Sequence, residues 1–309
     1  MIDLNFNFKS ALISFLFNIV LFILKIIASI ITKSTALFVE ALRSFGDILN
    51  SGLAHIGNSI ALGKDEYYTF SRRMYLYVFG FALSIIALGS IVTIGFIEGL
   101  QSFLNPKPIE NIPIGVMLIS IAIVFDFTSA ILAFRDVRIY LDEVGYTNPL
   151  FRAVFIENIY DIVGEGIALM TLFLSRWSNT IDGISSMVLS SMLAIYMIKL
   201  AKENIDVLVH RAAPPEIIAR IVKIALSNPA IRDVNTIKTL MIEPQRYIIF
   251  MEVEIDPNLS LAEMEQVLID VKNDVKRFIR EAEYLVIEPR RPDSSPKTYK
   301  ELLKRLQNK

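Results

Sequence analysis

Long apolar stretches alternate with short polar ones over the first two thirds of the chain, after which the pattern changes. Crossing the hydrocarbon of a bilayer takes about 20 predominantly apolar residues in a helix. Six windows of that size run at approximately 10–32, 36–62, 74–100, 112–134, 150–175 and 180–200. The separators contain Lys33, the cluster Lys64 to Arg73, "NPKPIENIP", the stretch Arg135 to Pro149, and Arg176. Pro106, Pro108 and Pro113 break any helix through the third of them. The pattern predicts six membrane-spanning helices.

After about residue 202 the apolar runs shorten and charges recur every few positions, as in a soluble domain. "APPEIIARIVKIALSNPAI" predicts a helix opened by Pro214 and Pro215 and closed near Asn228-Pro229. "VNTIKTLMIE" and "RYIIFMEVEI" predict two strands joined at Glu243-Pro244-Gln245, with Ile249, Met251, Val253 and Ile255 on one face. Met264, Val267, Leu268, Val271, Val275 and Phe278 then recur at helical spacing, and "EYLVIEP" reads as a third strand. The expected fold is a membrane protein: an all-α six-transmembrane-helix bundle over 1–203 and a cytoplasmic α+β domain (α-β-β-α-β) over 204–291. A polar tail occupies 292–309, with room for a short helix near 298–307.

Composition agrees: 53% of residues are hydrophobic and 20% charged, too apolar for an ordinary soluble chain. A net charge of -1 gives no basic excess for nucleic acid, so the lipid bilayer is the expected partner. The absence of cysteine excludes disulfides and thiolate metal sites. The first apolar segment is too long for a removable signal peptide and lacks a small-residue cleavage site. Basic residues near the spans set orientation. Lys64, Arg72, Arg73, Arg135, Arg138 and Arg152 flank one side, against Lys33, Lys107 and Arg176 on the other, which places both termini in the cytoplasm of a multi-pass protein of the plasma membrane.

Charge inside the spans is the chemical signal, because an ionisable residue there costs about 2.5–3.5 kcal/mol on insertion scales and marks a pathway. In "VEALRSFGDILNS" Arg43 and Asp47 share a helical face, with Glu40 one turn earlier and Ser51 one turn later. "FIENIYDIVGEGIAL" sets Glu157, Asp161 and Glu165 at successive i+4 steps. Asp126 in the fourth span and Lys25 in the first add more. Structural ion pairing, Arg43 with a carboxylate and Lys25 with Asp126 or Glu165, is the plain reading. Six acids against two bases exceed it, so protons or a cation must balance the remainder.

Here the chain resembles the cation diffusion facilitators, a family of divalent metal transporters. "NIVLFILKIIASIITKSTALFVEALRSFGDILNSGLAHIG" is similar to their first two spans and "SRRMYLYVFGFALSIIALGSIVTIGFIEGLQ" to their third. "NPLFRAVFIENIYDIVGEGIAL" and "NTIDGISSMVLSSMLAIYMIKLAKENIDVLV" are similar to the fifth and sixth. "VNTIKTLMIEPQRYIIFMEVEIDPNLSLAEMEQVLIDVKN" resembles their cytoplasmic domain. The resemblance implies a homodimer and no enzymatic activity. It also implies a metal site made by i, i+4 pairs on spans two and five, which fall on Arg43 and Asp47 and on Glu157 and Asp161. Asp47 and Asp161 match the pattern, and Glu157 is an oxygen ligand where a histidine or aspartate is common. Arg43 departs from it, since a guanidinium only donates hydrogen bonds.

The expectation is that Asp47, Glu157 and Asp161 hold a divalent ion while Arg43 supplies charge balance, with Glu40, Asn158, Glu165 or water completing the shell. All-oxygen ligation suits manganese or iron, and zinc also accepts carboxylates. Ligands must be free of protons to bind a cation, so metal and protons compete, and exchange across the membrane makes an antiporter that exports metal. Asp126 and Lys25, like Glu165, serve either a proton relay or helix pairing. The alternative is a non-transporting membrane-anchored scaffold or sensor with Arg43 in the cation's place.

Other signals are weaker. His55 lies about 12 Å along the helix from Asp47, too far to join it, and His210 sits at a solvated junction. Glu252, Glu254, Asp256 and Glu288 suggest an exposed acidic face, with weak cation binding as the alternative. Gly46, Gly52, Gly57, Gly164 and Gly166 suggest close helix packing. No hydrolase triad, H-E-x-x-H or dinucleotide motif occurs.

Overall fold

The computed structural model describes residues 4–61, 74–144, 149–292 and 298–299. Two compact units divide the chain, Met1–Ile205 and Asp206–Lys309.

The first unit is helical: α1 (Leu4–Thr32), α2 (Thr35–Ala61), α3 (Met74–Ala87), α4 (Thr93–Leu104), α5 (Ile112–Val144), α6 (Pro149–Leu174) and α7 (Thr180–Leu208). A π-helical turn, Leu88–Val92, joins α3 to α4, so residues 74–104 form one helical run. Among the described residues four segments are long and apolar enough to cross a membrane: Phe15–Thr32, Met74–Leu104, Ile112–Arg135 and Thr180–Leu208. α2 and α6 are as long, but Glu40, Arg43 and Asp47 interrupt one, and Arg152, Glu157, Asp161 and Glu165 the other. The unit is apolar outside and charged inside. Ile30, Ile86, Val124, Met170 and Ile195 are exposed, whereas Lys25, Glu40, Asp126 and Glu165 are buried. That inversion fits a lipid solvent. The fourth separator is shorter than expected, because "RDVRIYLDEV" has no glycine or proline to stop a helix and α5 continues to Val144.

One side chain fixes the start of α2. Asp182, in the first turn of α7, accepts hydrogen bonds from Ser34 Oγ at 2.7 Å, Thr35 N at 2.7 Å and Ala36 N at 3.1 Å. It satisfies donors that the first turn of α2 leaves without an intrahelical partner, and its negative charge complements the positive end of the helix dipole.

The second unit contains α8 (Pro215–Ser227), β1 (Ile231–Glu243), β2 (Arg246–Ile255), α9 (Leu261–Phe278) and β3 (Ala282–Arg290). The strands lie in the order β1-β2-β3, with β1 and β2 antiparallel and β3 parallel to β2. Gln245, at φ 62°, closes the hairpin. The face of β2 that carries Ile249, Met251, Val253 and Ile255 is buried, and the first three pack with Ile221 and Val222 of α8 and Val271 and Val275 of α9. Ser260 and Glu263 form a reciprocal capping box at the start of α9.

Phe278 departs from expectation: it is exposed, and Ile279 is buried in its stead. The helix ends there, and the extended backbone of Ile279 (φ -128°) turns the next side chain inward. The acidic face differs as well. Glu254 is buried, Asp256 pairs with Arg232 at 2.8 Å, and Glu252 and Glu288 pair with Arg290 at 3.2 and 3.6 Å. The expected helix near 298–307 lies outside the described residues apart from Thr298 and Tyr299, as do the cluster Lys64 to Arg73 and the side chains of Ser51, His55 and Arg152.

Candidate metal-binding recess of the helical unit

A small recess is lined by Glu40, Arg43 and Asp47 of α2, by Glu157, Tyr160, Asp161 and Gly164 of α6, and by Leu189, Met192, Leu193 and Tyr196 of α7. Its geometry follows from helical repeat: i, i+4 spacing stacks Arg43 over Asp47 and Glu157 over Asp161, and the two pairs face the same space. Gly164 permits the approach of the helices, because a Cβ there would meet the carboxyl of Glu40. No such contact surrounds Gly166. Tyr160 and Tyr196 pack across the recess with ring centroids 5.4 Å apart.

Arg43 occupies the centre of the polar wall. Its guanidinium donates to Glu40 Oε2 from Nε at 3.2 Å and from Nη2 at 2.9 Å. Its Nη1 forms an ion pair with Asp161 and lies 4.0 Å from Asp47 Oδ2. Glu157 is within hydrogen-bonding reach of Asp47 and Asn50. Two carboxylates this close repel unless a proton or a cation lies between them. Among the described residues no three histidine, cysteine, aspartate or glutamate side chains stand at metal-ligand spacing. In the arrangement seen, the Arg43 guanidinium bridges Glu40 of α2 and Asp161 of α6.

A second cluster lies behind this wall. Lys25 Nζ is 2.8 Å from Glu165 Oε1, 3.7 Å from Asp126 Oδ2 and 3.9 Å from Glu40 Oε2, with all four side chains no more than 4% exposed. Glu40 touches both cations and so links the clusters. Pairing is incomplete: Glu40 Oε1 and Glu165 Oε2 are buried and accept no hydrogen bond from the described residues. An unmatched buried carboxylate oxygen is costly in an element whose only task is structural.

The structure therefore brings Asp47, Glu157, Asp161, Arg43 and Glu40 to one recess, and places Glu165, Asp126 and Lys25 together in the cluster behind it. Asn158 does not line the recess, and Asn50 is the amide beside Glu157. Sequence reading missed the α7 wall, whose lining residues look like ordinary core. Tyr160 carried a faint signal, since it immediately precedes Asp161.

A family model described as "Cation efflux transmembrane domain" matches residues 11–209. A second, "Cation efflux protein, cytoplasmic domain", matches residues 213–289. The mouse (Mus musculus) protein named "Proton-coupled zinc antiporter SLC30A9, mitochondrial" is 22% identical over 69% of this chain and 40% of its own length. The "Uncharacterized transporter MJ0449" of Methanocaldococcus jannaschii is 26% identical over 86% of this chain and 92% of its own. The "Cation-efflux pump FieF" of Shewanella oneidensis is 23% identical over 85% of this chain and 87% of its own. The chain thus spans well under half the length of the mouse relative.

Proposed function

From the chain's membership of the cation efflux, or cation diffusion facilitator, family, to which it belongs by the match over residues 11–209, we propose that it carries a divalent metal cation across a membrane. Asp47, Glu157 and Asp161 are the ligands of the moving ion. The observation that carries this reading is the convergence of acidic pairs from α2 and α6 on one recess.

Charge supports the ligand set. Three ionised carboxylates and the guanidinium of Arg43 leave two formal negative charges, matched by one M²⁺. Oxygen ligands accept zinc, manganese or iron. Zinc has the added support of the mouse relative's name, which also specifies proton coupling. In this proposal protons and metal occupy the carboxylates in turn, because a protonated carboxyl is a poor ligand. The site then opens to alternate faces, exporting metal from the cytoplasm of a plasma membrane in exchange for protons. α2 and α6 span the bilayer with the four apolar segments, since their charges face the interior while Phe45, Ile159, Val163, Met170 and Phe173 face outward. The second unit pairs two copies into a homodimer.

Transport into proteoliposomes loaded with a pH-sensitive dye tests the reading with zinc, manganese, iron and cobalt in turn. Metal flux with opposed proton movement is expected, and neither D47A nor D161A retains it. A scaffold or sensor is the second reading, favoured by the ion pair of Arg43 with Asp161. Flux by R43D but none by the native chain would establish that reading instead.

A further inference from the structure

We infer that Arg43 is a tethered cation with two seats, one on Asp161 and one on Glu40, and that the incoming metal drives it from the first to the second. The inference rests on the proposed metal site and deepens it, by naming what occupies the recess before the ion arrives and where that occupant goes.

Both seats are present. Toward α6, Nη1 of Arg43 pairs with Asp161 and lies 4.0 Å from Asp47. On its own helix, Nε and Nη2 converge on a single oxygen of Glu40, Oε2. A guanidinium fork is matched to both oxygens of a carboxylate. Yet Glu40 Oε1 is buried and accepts no hydrogen bond from the described residues. The Glu40 seat is therefore half used while the Asp161 seat is occupied. Released from Asp161, the fork can rotate onto Oε1 and complete the bidentate pair. The charge stays inside the protein and only its neighbour changes.

Lys25 makes Glu40 a seat of graded strength. At 3.9 Å from Oε2 it draws on Glu40 weakly, its short contact being to Glu165 at 2.8 Å. Arg43, at 2.9 Å, is thus the nearer cation to Glu40. Gly164 leaves room for the Glu40 carboxyl itself, whose Oε1 lies where a Cβ of residue 164 would be. A cation bound to Asp161 repels the guanidinium and gives the direction of the switch. Arg43 consequently sets specificity by charge: a monovalent ion has half the charge of M²⁺ with which to displace it.

The test is a double-mutant cycle on metal affinity, measured by calorimetric titration of Zn²⁺ and Mn²⁺ into the purified full chain at one pH. R43Q removes the competitor, so affinity is expected to rise about tenfold. E40Q removes the second seat and strands Arg43 on Asp161, so affinity is expected to fall by a similar factor. In E40Q/R43Q the effect of E40Q is expected to vanish, leaving the affinity of R43Q. A merely structural Arg43 gives no gain in affinity and no such epistasis. Affinity in R43Q equal to or below the native value overturns the inference, and so does an E40Q effect independent of residue 43. Should R43Q fail to fold, E40Q alone decides, native or tighter binding overturning the inference. D161N separates the two levels: if it binds metal as the native chain does, the ligand assignment fails, whatever Arg43 does.

Discussion

The two units bury carboxylates in opposite ways. In the second unit Asp233 is 3% exposed and fully matched. Its Oδ1 accepts from Val234 N at 2.8 Å and Tyr299 N at 3.0 Å, and its Oδ2 from Thr298 N at 2.6 Å and Thr298 Oγ1 at 3.1 Å. In the first unit Glu40 and Glu165 are equally buried but each keeps an oxygen without a hydrogen bond, and Asp126, Glu165 and Glu40 share one lysine. A carboxylate held by backbone amides has no reason to change partners. One that is short of partners is poised to accept a new one. Burial alone separates nothing here, and completeness of pairing separates structure from exchange.

Substitutions at both kinds of site test that contrast. The largest effect is expected from D47N and D161N, which remove charge from the recess: metal affinity falls by more than about 100-fold in calorimetric titration, beyond the effect of outer partners of a metal site. Unfolding of the second unit is expected to remain unchanged. D233A inverts the pattern. It leaves backbone amides of Val234, Thr298 and Tyr299 unmatched and destabilises the second unit by about 2–3 kcal/mol, read from hydrogen exchange of β2 amides in the full chain, while metal affinity is retained. Equal effects of D233A and D161N on metal binding would erase the distinction.

G164A probes the packing that holds the two acidic helices together. The added methyl meets the Glu40 carboxyl and is expected to cost about 1–3 kcal/mol in the first unit, with weaker metal binding, measured by thermal unfolding and titration. The smallest effect concerns acid stability. Asp256 is held below its ordinary range by hydrogen bonds from the Asn258 backbone and Arg232, and Glu263 by hydrogen bonds from Ser260. Folded values below the unfolded ones mean that their contribution is present above the ordinary carboxylate range, near pH 4, and is lost as pH falls through the folded values. D256N and E263Q are expected to flatten the acid limb of exchange protection in the second unit.

Periodicity made much of this legible. The alternating burial of β2 and the helical face of α9 through Val275 are local patterns, and i, i+4 spacing alone puts Arg43 with Asp47 on one face of α2 and Glu157 with Asp161 on one face of α6. What lay beyond reach was pairing between distant segments. Asp182 is one acid in an apolar helix until its three donors at 34–36 are seen, and Asp233 is one strand residue until Thr298 and Tyr299 reach it. Phe278 failed because helical spacing cannot tell where the helix stops. Asn50 stands beside Glu157 from another helix, α2, a neighbourhood that spacing along α6 alone does not reveal.

The Asp182 fastening has a mechanical corollary. It clips the start of α2 to the start of α7, while Asp47 lies twelve residues farther along one rod and Tyr196 fourteen along the other. At 1.5 Å per residue those points are roughly 18–21 Å from the clip, so a tilt of about 10° there separates them by about 3 Å, the diameter of a water molecule. In the proposed transport cycle, a small tilt at this joint would be the lever that widens or narrows the far end of the recess.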